Sequence, residues 1–324
     1  MKNFTRSETK KERVKMDKKK GIFYTIVSAT AFGLTPLLCA SANKLGATPE
    51  TLVFLRNLFV IPVLFIVCKA QKIDLKMGGT DLKHAFIVGV FGMTATALLL
   101  YNAYLYLPVG TVTTLHFLYP VFVALIGLVV FKEKISKVKG FVLLIATCGI
   151  FFFLESMEGS NALLGIVLSV LSGGTYAFYM SGIEIFKLNK INSYKLTLYL
   201  AIFSAIVMLG YSLVTGKLSL SQMAPMAYVY AFIIGIGTSF LAVYTLQLGI
   251  KYLGASTAAI FCMFEPVTAV VGELIVFGTP LTPMKIMGCI VILGSVTLLT
   301  VLDKKAEAKE AKVALEAQAE AGKA

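Results

Sequence analysis

Tyr106 to Phe131 reads YLPVGTVTTLHFLYPVFVALIGLVVF, and Tyr252 to Phe277 reads YLGASTAAIFCMFEPVTAVVGELIVF. The second stretch lies over the first without a gap at a shift of 146 residues, from 106 to 252. Both open on Tyr-Leu and close on Phe; Thr111 falls on Thr257 and Pro120 on Pro266. Internal self-similarity at a long period marks a duplicated unit. Each proline sits mid-way along an apolar run of roughly the 20 residues that a bilayer-spanning helix needs. The repeating unit is therefore a membrane helix with a built-in break.

Composition agrees. The 324 residues are 57% hydrophobic and 15% charged, with mean hydropathy +0.83, whereas a soluble domain is about 45–50% apolar. The chain reads as a polytopic membrane protein whose first partner is the lipid bilayer. A net charge of +13 would point to nucleic acid if the basic residues shared one soluble face. Instead, nine fall in residues 1–20 and nearly all the rest in short gaps between apolar runs, so no nucleic-acid partner is expected. Cys39, Cys68, Cys148, Cys262 and Cys289 lie within or at the end of apolar runs without CxxC spacing, which reads as small apolar filling.

Residues 1–20 are too charged for a signal peptide and are expected to form a basic cytosolic N-tail. Ten apolar segments follow, at about 21–42, 48–70, 83–107, 109–131, 139–154, 163–186, 193–214, 225–250, 253–277 and 283–302. A charged tail, 303–324, completes the chain. An even number of spans puts both termini on one side. With the termini inside, 26 of the 30 Lys and Arg are cytosolic, three (Lys44, Lys217, Lys285) face outward and Arg56 lies within a span. The positive-inside rule then sets both tails in the cytoplasm.

A shift of 146 residues covers five spans, and an odd number inverts the second copy. Gly89 aligns with Gly235 at the same shift, and Gly21, Ile22 and Ser28 align with Gly165, Ile166 and Ser172 at a shift of 144. The expected fold is all-α and integral to the membrane: ten transmembrane helices as two inverted five-helix repeats, 21–154 and 163–302. Inverted repeats with broken helices near the midplane are a route to alternating access in secondary transporters.

Candidate functional residues follow from depth. Glu265 lies near the middle of the ninth span, and an intramembrane acid is by default a functional hypothesis. It precedes Pro266, whose ring removes a backbone hydrogen bond, as do Pro120 and Pro36 in their spans. Tyr119 holds in the first copy the position Glu265 holds in the second, and shares a helix face with His116 and Pro120. Arg56 enters its span from the outer face to a depth comparable with Glu273; a structural ion pair is one reading and a transport role the other. Tyr101 and Asn102, Tyr244 and Gln247, and Phe32 and Tyr176 add polar and aromatic groups that must face protein or a cavity. With two histidines and no clustered ligands, neither a metal site nor a cofactor is expected.

Ten spans in two halves, with FLYPVFVALIGLVVFKEK in the first and FEPVTAVVGELIVFGTPLTPMKIMGCIVILG in the second, resemble the EamA family of the drug/metabolite transporter superfamily. The likeness covers about residues 20–302. Its most specific features are Glu265 to Val267 and Pro120 to Phe122, each followed in the family by an acid at the helix exit. Glu133 matches that acid, whereas Thr279 stands where the second half usually has glutamate. The resemblance implies a central cavity between spans 1, 3, 4, 6, 8 and 9, and export or exchange of small metabolites, often amino acids or related compounds. A coupled proton is a candidate co-substrate. Rival readings are a transporter of a lipid-linked or nucleotide-linked group, a passive channel, and a membrane enzyme. The enzyme is the weakest, because the loops lack a paired-carboxylate, His-Cys or phosphate-cradling motif.

Overall fold

The computed structural model describes residues 2–130, 132, 137–153, 161–278, 282–295, 297–298 and 301. The side chains of residues 2–17 and of Glu273, and all of Glu133, Thr279 and the C-tail from Lys304, lie outside the described part.

The described residues form helices and connections, with no strand. In chain order the helices are α1 (Lys2–Lys44), α2 (Pro49–Ala70), α3 (Gly79–Ala103), α4 (Val109–Val130), α5 (Lys137–Ile150), α6 (Ala162–Ile185), α7 (Ser193–Val214) and α8 (Pro225–Leu253). Helix α9 comes in two pieces, Ala255–Cys262 and Glu265–Phe277, and α10 is Pro283–Ser295. Eight stretches, one in each of α1 to α4 and α6 to α9, are long and apolar enough to cross a membrane. The expectation of ten is therefore met in part among the described residues. The apolar stretch Gly140–Ile150 of α5, and α10, fall short of spanning length, because at 1.5 Å per residue they reach only about 15–20 Å of a hydrocarbon core about 30 Å thick.

The duplication is visible in local chemistry. Thr48 caps α2, its hydroxyl accepting from the Thr51 N–H at 3.2 Å; 144 residues on, Asn192 caps α7, accepting from the Tyr194 N–H at 3.0 Å. Side-chain oxygens at these positions satisfy donors that the first turn leaves free. Both helices end alike. Lys72 (φ 54°) and Gly216 (φ 67°) turn left-handed, and the next residue reaches back, Ile73 N–H to the Cys68 carbonyl at 2.9 Å and Lys217 N–H to the Ser212 carbonyl at 3.0 Å. Two π-helical stretches, Val88–Thr94 in α3 and Gly235–Ala242 in α8, also occupy corresponding positions. The π-helix is rare and frequent at functional sites.

Packing runs across the two copies. Helix α1 lies against α8 and α9, and, in the corresponding way, α6 lies against α3 and α4. Helices α2 and α7 pack on one another, joined by the Asn57 amide donating to the Ser204 hydroxyl at 2.9 Å. They run antiparallel. The start of α2 meets the segment after α7, where Thr48 donates to the Lys217 carbonyl at 2.7 Å and Lys217 Nζ bonds the buried Glu50 carboxylate at 2.9 Å. At the other end, the start of α7 meets the segment after α2: Lys195 Nζ donates to the Lys76 carbonyl at 2.6 Å and the Tyr199 hydroxyl to the Leu75 carbonyl at 2.8 Å. The hydrogen bond to Glu50, and then its charge, raise the Lys217 pKa above the ordinary lysine value.

Candidate functional site

The two repeated stretches become α4 and α9, and both break at the same place. Pro120 has no N–H to offer the His116 carbonyl, and Pro266 none to offer Cys262. The chain tightens to shorter-range bonding there: Leu118 N–H to the Leu115 carbonyl (3.3 Å) and Phe264 N–H to the Phe261 carbonyl (3.2 Å). It resumes with Phe122 N–H to Leu118 (3.3 Å) and Thr268 N–H to Phe264 (3.2 Å). All four donors and acceptors correspond at the shift of 146 residues. Each break is covered by a glycine: a Cβ on Gly173 of α6 would stand 2.8 Å from the His116 carbonyl oxygen, and one on Gly33 of α1 only 2.5 Å from that of Glu265.

Beside the breaks a cavity lies between α1, α2, α3, α4, α6, α8 and α9. Glu265 lines it, 5% exposed, with the Tyr119 hydroxyl donating to its Oε1 at 3.3 Å. The two residues matched by the repeat thus meet, Glu265 in the cavity wall and Tyr119 fully buried and not part of it. His116 also lines the cavity, its Nδ1 2.9 Å from the Ser172 hydroxyl. That hydroxyl donates to the Ser169 carbonyl at 2.6 Å, so Nδ1–H is the donor to Ser172. Tyr176 closes the aromatic wall, edge-on to Tyr119 (centroids 4.7 Å apart) and to Phe32 (5.9 Å). Its hydroxyl and that of Tyr104, another lining residue, are buried without a hydrogen-bond partner among the described residues.

Arg56, 4% exposed, lines the cavity with Tyr101. Its Nη1 donates to the Tyr101 hydroxyl at 2.8 Å and its guanidinium lies 5.4 Å from the centre of that ring. The expected partner Glu273 has its side chain outside the described part. Pro36 lines the cavity and, with Pro266, an adjacent smaller one of about 360 Å³.

Four expected residues are absent from the wall: Tyr119, which is fully buried and bonds Glu265, and three that take other partners. The Asn102 amide turns back to its own helix, donating to the Leu98 carbonyl at 2.8 Å. Gln247 donates to the Thr197 hydroxyl at 3.1 Å, and Tyr244 stacks on Tyr194 with centroids 4.2 Å apart. Pro120 is buried and does not line the cavity. Conversely, sequence reasoning passed over Thr35 and Thr238, whose hydroxyls meet at 2.6 Å between α1 and α8, and over Tyr104 and Tyr179, all of which line the cavity. Nothing in the spacing of those threonines distinguishes them from the many that bond only their own helix.

The EamA-like transporter family matches residues 19–154 and again 160–301. The chain belongs to that family. It is 23% identical over 300 residues to an uncharacterized transporter of Clostridium kluyveri, covering 86% of this chain and 92% of that protein. With the uncharacterized transporter YcbK of Bacillus subtilis it shares 25% over 291 residues, covering 83% and 89%. A solved crystal structure aligns with it at a TM-score of 0.73 and 15% identity, covering 86% of this chain and 98% of the other, which is a likeness of fold. This EamA-like chain is a multi-pass membrane transporter, and its cavity lies against the broken helices that the two family matches contribute.

Proposed function

We propose that this protein is a secondary active transporter of small organic metabolites that works by alternating access. Its ten spans form two inverted five-helix halves, residues 21–154 and 163–302, with both termini on the cytoplasmic face of the cell membrane. The amino-acid class of cargo expected from the family suits a cavity walled mainly by aromatic and aliphatic side chains with an acid and a base among them. One observation carries the reading. The Glu265 carboxyl stands in the cavity at the junction of a broken helix, and its hydrogen-bond partner is the residue matched to it by the repeat. The two halves therefore meet at a titratable group, and rocking one against the other alters the surroundings of that group.

Glu265 is assigned the coupling proton or a cationic group of the substrate. Glu265→Gln keeps the shape and can still accept from Tyr119, but cannot ionise. In proteoliposomes, wild-type yield and melting temperature with loss of pH-driven transport are the expected outcome. Unchanged transport and unchanged pH dependence would assign Glu265 a structural role.

A further inference from the structure

A guanidinium inside a membrane bundle is costly unless something compensates it, and among the described residues the compensation around Arg56 is incomplete. Its α2 backbone is pressed against α8: a Cβ on Gly235 would stand 2.7 Å from the Arg56 carbonyl oxygen, which fixes where the side chain starts. Of its N–H groups, only Nη1 has a hydrogen-bond acceptor among the described residues, the Tyr101 hydroxyl. Nε is buried and without a partner. No carboxylate bonds the guanidinium among the described residues. Tyr101 takes one nitrogen and leaves the Nε edge, the edge that matches the two oxygens of a planar carboxylate side by side.

We propose that Arg56 is the anion-binding subsite of the cavity, and that the ligand is an organic carboxylate with its apolar or aromatic body against Phe32, Phe117 and Tyr176. These side chains line the same cavity as Arg56, so one small molecule spans from acid group to aromatic wall. The proposal deepens the transporter reading and rests on the cavity being the transport site. It assigns Arg56 a role distinct from that of Glu265: Arg56 recognises, whereas Glu265 couples.

The test is binding to the detergent-purified full chain. Phenylacetate, phenylacetamide, phenethylamine, phenyl phosphate and sodium chloride are titrated while the melting temperature is followed, because a ligand of the folded state raises it by mass action. Phenylacetate is expected to bind about tenfold or more tighter than phenylacetamide or phenethylamine, since the neutral and cationic analogues leave the guanidinium unpaired. A phenyl phosphate response equal to or stronger than that of phenylacetate would overturn the carboxylate assignment, as would a response to chloride alone. Arg56→Gln is expected to abolish the difference between acid and amide, and Arg56→Lys to retain part of it.

An independent readout needs no variant at Arg56. The chain has three arginines, Arg6, Arg13 and Arg56. In an Arg6→Lys, Arg13→Lys background, phenylacetate is expected to slow the reaction of Arg56 with phenylglyoxal, followed by mass spectrometry, while phenylacetamide does not. Equal protection by acid and amide, or by neither, would overturn the subsite. Transport measured separately in the same preparation would show whether the transporter reading survives that result.

Discussion

Gly33→Ala is the most informative single substitution outside the charged groups. The added methyl would stand 2.5 Å from the Glu265 carbonyl oxygen and 2.8 Å from the β-carbon of Thr268, whereas ordinary contact begins at 3.4 Å. Neither atom is the far end of a flexible side chain, so no rotamer change relieves the overlap. Helix α1 has to withdraw from the break in α9 by about 0.9 Å, the difference between 3.4 and 2.5 Å. Overpacking of this kind costs about 1–3 kcal/mol. Gly174→Ala, in α6, is the control, because a methyl there has nothing within 4 Å; replacing glycine in a helix gains up to about 1 kcal/mol. Thermal unfolding of both purified variants in one detergent should place Gly33→Ala below wild type and Gly174→Ala at or above it. A Gly33→Ala protein melting at or above wild type would refute the claim that α1 is locked on the break.

Three further outcomes follow from topology and charge. In a cysteine-free background, a cysteine placed within 278–283 should react with an impermeant maleimide from outside the cell, and one within 132–137 should not; labelling of both from one side would remove the inverted repeat. Because the Lys217 pKa is raised, its link to Glu50 is fully present below the ordinary lysine value of about 10.4 and is lost as pH rises through the raised value. Melting temperature should therefore owe nothing to the titration of Lys217 between pH 7 and 9. Glu50→Gln should lower stability by less than about 1 kcal/mol, since Lys217 is 49% exposed and such pairs are weak.

Depth was legible in the sequence, but the side of each helix was not. The repeat and the two prolines located the breaks, and the alignment of Tyr119 with Glu265 pointed at two residues that the structure joins. Hydropathy places a residue along a helix axis; which neighbour it faces depends on rotation about that axis, set by packing. Asn102, Gln247 and Tyr244 show this. All three are polar residues within spanning helices, yet one bonds its own backbone, one a neighbouring helix and one a neighbouring ring. Thr35 and Thr238 show the converse, unremarkable in composition and placed on the wall by that same packing. The π-helical stretches had only the Gly89 and Gly235 match to announce them.

The exchange of partners between the halves sets a schedule for the newborn chain. Gly33 and the Glu265 that it covers are 232 residues apart. At about 5–20 residues per second, the ribosome takes roughly 10–50 s to deliver the second after the first. For that interval the face of α1 destined for α8 and α9 has lipid, the translocon or a passing helix for company. Its small and hydroxylated residues, Ser28, Gly33 and Thr35, are of the kind through which membrane helices adhere to one another. The first half thus waits, half a minute or so, as an adhesive surface without its mate.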